Sequence, residues 1–127
     1  MIFLNSRNIQ TGRDISIEVN GGKVAVVESC RAKTSRSVYE VEELGSELPA
    51  GTIGGRIRYE LTLKRVRLLG EEGPDFHSLQ NFDVVIVSPG GRVVYSGCEW
   101  AEIDEGVAAG EPCAETILLT AGRRVCL

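Results

Sequence analysis

Between Gly54 and Val66 the apolar positions recur with a period of two. Ile57, Tyr59, Leu61 and Leu63 alternate with Arg58, Glu60, Thr62 and Lys64. Such alternation predicts a strand with one buried and one wet face. The stretch before it carries Gly45, Pro49, Gly51, Gly54 and Gly55 and has no period. It predicts a mobile loop over 45–55 that feeds a firm strand. The same alternation opens the chain proper, where Ile15, Ile17 and Val19 point inward and Asn20-Gly21-Gly22 supplies a hairpin turn. Lys23 to Cys30 reads as the return strand, with Val24, Ala25, Val26 and Val27 apolar enough for burial on both faces. Thr34 to Glu43 reads as a third strand, ending in the acidic Glu40, Glu42 and Glu43.

Past the organising strand, Gly70 to Pro74 breaks the pattern. Phe76, Leu79 and Phe82 are spaced by three, which predicts a short helix over 75–82. Phe82 to Ser88 is the most apolar run; Pro89-Gly90-Gly91 turns the chain back into Arg92 to Cys98. Glu99 to Glu105 continues beyond a bend at Gly97, and Ala114 to Ala121 forms a last strand. The sum is a mainly β fold, a sandwich or barrel of about seven strands with one short α-helix capping an open end. Residues 1–127 make one domain, with 1–13 as an N-terminal arm.

Composition narrows the partners. The net charge of −4 is a poor match for gripping phosphates, which takes clustered Lys and Arg. No basic leader precedes an apolar run, and no stretch approaches the ~20 apolar residues of a membrane span. Folding in the cytosol is therefore expected. Cys30, Cys98, Cys113 and Cys126 are scattered without a C-x-x-C, which predicts small, mostly buried hydrophobes.

Candidate chemistry is sparse. His77 stands without a second His or a Cys nearby, so it reads as a partly exposed histidine and not a metal ligand. Glu99, Glu102, Asp104 and Glu105 lack the spacing of a calcium loop and read as a solvated strand end. Ser35, Ser37 and Ser96 have no nucleophile-elbow context. Gly51, Gly54 and Gly55 precede a strand, so they form no phosphate-binding fingerprint. Arg56, Arg58, Lys64, Arg65 and Arg67 crowd the organising strand; the only aromatic among them, Tyr59, falls on the opposite, apolar face, so they read as surface or inter-subunit charges. No enzyme, cofactor or metal is expected.

Taken together, Asp14 to Ser29, Val38 to Gly45 with the strand after it, and Val93 to Trp100 with Glu115 to Ala121 resemble the tail tube proteins of contractile-tailed phages and prophage-derived tail particles. The likeness is one of layout over about residues 14–125. It implies self-association: hexameric rings whose sheets join edge to edge, stacked into a tube that DNA or an effector crosses without specific binding. It implies a loop, Leu44 to Gly55, reaching the next ring and ordered by it. The assembly residues are then Leu44, Glu47, Leu48, Arg56, Arg58, Glu60 and Lys64. Sheath, tape-measure and baseplate proteins are the implied further partners. The implied locations are the host bacterial cytoplasm during assembly and the virion tail afterwards. Two alternatives stay open: another tail, adaptor or baseplate part of the same fold, and a small cytosolic β-barrel that binds a ligand or acts as an enzyme. The last would show convergent polar groups in a pocket.

Overall fold

A computed structural model describes residues 15–24, 27–42, 44–45, 47, 49–67 and 74–127. Its strands are β1 (Ser16–Val19), β2 (Gly22–Lys23), β3 (Val27–Glu42), β4 (Pro49–Arg67), β5 (Phe82–Ser88), β6 (Gly91–Gly106), β7 (Cys113–Ala121) and β8 (Arg123–Cys126). They lie in the order β2-β1-β5-β6-β7-β4-β3, with β8 against β6, and every pair is antiparallel. The architecture is mainly β, as the alternating runs predict.

One strand joins the two halves of this sheet. The first part of β6 pairs with β5 and β8, and its second part, from Glu99, pairs with β7. Gly97 marks the change of partners with a φ of 64°, a left-handed conformation that costs glycine nothing. A bulge between Trp100 and Glu102 adds to the bend. The halves therefore share a core: Ile17, Val19, Phe82, Val84, Tyr95 and Cys98 from one meet Leu61, Leu63, Ile117 and Leu119 from the other. Tyr59 and Tyr95 touch edge to face across it, 6.2 Å between centroids.

Several local expectations are corrected. The helix over 75–82 is a single 3₁₀ turn, Phe76–Ser78. Asp75 Oδ1 accepts from the His77 amide at 3.2 Å, and Leu79 is already extended. A spacing of three suits one 3₁₀ turn as well as a helix. Both phenylalanines are nonetheless buried, edge to face at 6.0 Å. Lys23 to Cys30 and Thr34 to Glu43 are not two strands. Lys23 lies in β2 against β1, while Val27–Cys30 and Thr34–Glu42 both belong to the continuous β3, whose exposed stretch hid the connection. Residues 49–55, expected as loop, continue β4, because they pair with Val38–Glu42. The short β8 was not expected; Arg123 and Arg124 hide its alternation. The arm over 1–13 lies outside the described residues.

The end of the chain is clasped. Arg92 and Leu127 exchange two backbone hydrogen bonds, of 3.2 and 2.8 Å. Gly91, with φ of 143°, lies so close that a Cβ there would stand 2.7 Å from the Leu127 oxygen. Gly91→Ala should therefore cost about 1–3 kcal/mol and speed hydrogen exchange at the Leu127 amide. Thermal melting and exchange mapping check both.

Candidate assembly surface

β3 and β4 pair from Val27–Arg65 out to Glu42–Pro49. β7 supports β4 only from Tyr59 onward. Beyond that point the two strands form a ribbon that leaves the core. Every residue from Arg31 to Glu42 is exposed. The face of the ribbon that continues the core face carries Ile57 and, past a bulge in β4, Val38; the opposite face carries Tyr39 paired to Ile53, with Val41 beyond them. Ile57 is 46% exposed and Ile53 and Tyr39 nearly 60%. Ile57 was expected in the core; it has the right face but stands past the last covering strand. Gly55 gives Tyr39 room, since a Cβ there would come within 2.9 Å of its ring. A shallow groove among Thr34, Ser35, Arg36 and Ile57 gathers two hydroxyls and a guanidinium, but no carboxylate or imidazole.

The sequence-predicted assembly residues fall into two places. Leu44 is fully exposed in the turn of the ribbon, where Gly45 has a φ of 84°, and Glu47 is exposed beside it. Leu48 lies outside the described residues. Arg56, Arg58 and Lys64 are exposed on β4, and Glu60 is half-buried. Register puts Arg58 opposite Ser35, Glu60 between Lys33 and Thr120, and Lys64 between Ser29 and Thr116. The base of the ribbon thus also carries Arg31 and Lys33, which the single-strand reading left unassigned. Only the pairing of β3 with β4 could have found them.

Arg65 corrects the expectation of a surface charge. It follows Leu61 and Leu63 on the inward face and is 3% exposed. Its register partner is Glu115, equally buried, and Arg65 Nε donates to Glu115 Oε1 at 3.1 Å. Its Nη2 lies 3.0 Å from the same oxygen and donates to the Pro74 carbonyl at 2.7 Å. The guanidinium also covers the Phe76 ring at 4.8 Å. One buried cation so pins the 74–78 segment to the sheet. Nearby, His77 is half-exposed, 3.6 Å from both Asp75 and Glu105. Among the described residues no three His, Cys, Asp or Glu side chains gather to hold a metal.

All four cysteines are free. Cys98 is buried, and burial pushes its thiol up to about 11. Cys30 and Cys113 are half-buried, and Cys126 is exposed, against the expectation of four mostly buried thiols. A thiol reagent at neutral pH should label Cys126 in the folded protein and Cys98 only after denaturation. Mass mapping of the labelled peptides checks this.

A family model described as Phi812 tail tube protein matches residues 4–121. The chain belongs to that family. It is a phage tail tube protein, a structural component of the virion tail. No curated protein matches its sequence. Its fold is similar to that of a chain from the virion of a native gene transfer agent particle: 14% identity, TM-score 0.72, covering 94% of this chain and 99% of that one. A chain in the tail of the empty gene transfer agent particle, refined with C6 symmetry, has the same identity and coverage and a TM-score of 0.69. The tube-terminating cap of the anti-feeding prophage has 12% identity and a TM-score of 0.70, covering 92% of this chain and 89% of the cap chain. At these identities the likeness is one of fold. Tail tube proteins form a structural family. Among the described residues no helix is long and apolar enough to cross a membrane.

Proposed function

We propose that this chain is the repeating subunit of a tail tube, closing into hexameric rings that stack around a channel for DNA or an effector. The observation that carries this reading is the ribbon of β3 and β4. It holds apolar side chains in water on both faces, Ile57 and Val38 on the one that continues the core and Tyr39, Ile53 and Val41 on the other, and such surface belongs at a contact. The C6 symmetry of the similar gene transfer agent tail supports sixfold rings. In this reading Leu44 and Glu47 at the ribbon's turn, with Leu48 next in sequence, reach the adjoining ring. Arg56, Arg58, Glu60 and Lys64 face a neighbour or the channel. Residues 51–55, paired with β3 alone, open readily in the isolated subunit and are held on assembly. DNA passes unbound, since the chain is net acidic. Subunits assemble in the host cytoplasm and end in the tail, with sheath, tape-measure and baseplate proteins as neighbours.

Electron microscopy across a concentration series tests this reading. Rings and stacked tubes are the expected result, with amide exchange at 51–55 fast in dilute protein and slow in tubes. A chain that stays monomeric at every concentration would sink it. The likeness to a tube-terminating cap favours a second reading, in which the chain ends a tube. Closed rings that never stack would favour that one.

A further inference from the structure

The outer face of the half-sheet β6-β7-β4-β3 is graded in charge from one edge to the other. Register sets out three rows across it. Asp104, Thr116, Lys64 and Ser29 form one; Glu102, Leu118, Thr62 and Arg31 the next; Glu99, Thr120, Glu60 and Lys33 the third. Every row begins with a carboxylate on β6. Two rows end in a cation on β3, and the remaining one carries Lys64 a strand inside. Arg58, one pair further along opposite Ser35, adds to the basic side. The ends of a row stand about 14 Å apart, three strand spacings of ~4.8 Å. That exceeds the Debye length of about 8 Å at physiological salt, so the two edges do not neutralise each other within one chain. Among the described residues Arg31, Lys33, Lys64, Glu102 and Asp104 make no ion pair.

Both charged strands are also open edges. β3 pairs only with β4, and β6 from Glu99 to Gly106 pairs only with β7. The 74–81 segment reaches those β6 residues through side chains, the Asn81 amide donating to the Glu99 carboxylate at 2.9 Å and His77 lying 3.6 Å from Glu105, but it makes no backbone–backbone hydrogen bond to that edge. The strands alternate in direction, so β3 runs opposite to β6. A second copy placed beside the first by a head-to-tail step would set its β6 against this β3, and the antiparallel alternation would continue unbroken. A head-to-tail contact of this kind generates rings or filaments, according to whether its rotation closes.

We infer that the acidic β6 edge of one copy docks on the basic β3 edge of another, with Glu102 and Asp104 facing Arg31 and Lys33, and that this charge grading sets the head-to-tail direction of assembly. The inference rests on the tube-subunit reading and adds the contacting edges to it. A rival role for the same residues is protective, since lysine on an exposed edge can keep sheets from pairing.

Two variants separate these ideas. Arg31→Glu with Lys33→Glu makes both edges acidic; Glu102→Lys with Asp104→Lys makes both basic. Sedimentation velocity across a concentration series reads association, and circular dichroism melting confirms that each variant is folded. Each variant alone should associate at least about tenfold more weakly than the native chain, because like charges repeat at every contact. An equimolar mixture should recover association, and all four substitutions in one chain should recover it too. Variants that associate as well as the native chain overturn the inference but leave the tube reading standing, as does a mixture that stays dissociated. Stronger association of either variant assigns the charges a protective role and also overturns it. A native chain that never associates removes both.

Discussion

Glu115→Ala should destabilise the protein by about 3–5 kcal/mol, the largest loss expected of any single substitution discussed here. The carboxylate sits 2% exposed against a guanidinium that is 3% exposed. Removing it leaves Arg65 with the Pro74 carbonyl and the Phe76 ring, and no anion among the contacts described for it. A buried cation without its counter-charge keeps its desolvation cost and loses the attraction that offset it. The melting temperature should fall by about 10 °C or more. Replacing both members, Arg65→Met with Glu115→Leu, should recover much of the loss, because an apolar pair of similar bulk bears no such cost. Should the double variant melt no higher than Glu115→Ala, the pair is holding the 74–78 segment by its hydrogen bonds more than by its charge balance. Calorimetry on the three proteins decides.

Leu61→Ala should cost about 2–5 kcal/mol. Leu61 is 1% exposed, at the centre of the shared core, flanked in register by Ala32 and Leu119. Truncation removes transfer free energy and leaves a cavity that neighbouring strands cannot close without moving apart. Four residues earlier on the same face, Ile57→Ala should change monomer stability by less than about 1 kcal/mol, since half of that side chain is already in water. In the tube reading Ile57→Ala should instead weaken assembly. Chemical denaturation of both variants, with sedimentation of the second, separates core from contact. Equal losses in the two would mean that the ribbon face is packed within the monomer.

The contrast between Leu61 and Ile57 shows what the chain alone can tell. Alternation assigned both to one face correctly, because a side-chain period of two is a property of the strand itself. Where that face stops being covered depends on β7, whose last partner on β4 is Tyr59, and no local pattern encodes that limit. Arg65 is the same lesson in reverse. It occupied an inward position but looked like a surface charge until Glu115, fifty residues on, was placed beside it. Gly45–Gly55 misled for another reason. Backbone pairing holds Pro49–Gly55 in β4, and glycine-rich ribbons carry no periodicity to announce it. The Phe76, Leu79, Phe82 spacing found two core side chains and the wrong element, since a 3₁₀ turn shares the repeat. Of the candidate assembly residues, the outward set on β4 was legible from alternation. Arg31 and Lys33 needed the register, and Glu102 and Asp104 needed both the register and the order of the strands.

The change of partners along β6 has a consequence in time. Neither half of the sheet is complete without that strand, and each half is closed by a pairing between distant parts of the chain: Ser16 with Val87, and Tyr59 with Ala121. Only the β3–β4 ribbon and the short hairpins close locally. A topology dominated by such distant pairings folds in milliseconds to seconds, far slower than a helical bundle of equal size. The ribbon can form early, while the strand that would anchor it to the rest arrives late. During that interval its apolar side chains and the basic β3 edge are open to other chains. The rate at which the β6–β7 hairpin docks on β4 therefore sets how long a newly made subunit is exposed to premature pairing, and a substitution at Gly97 that slows the bend would raise aggregation even where it leaves the folded state unchanged.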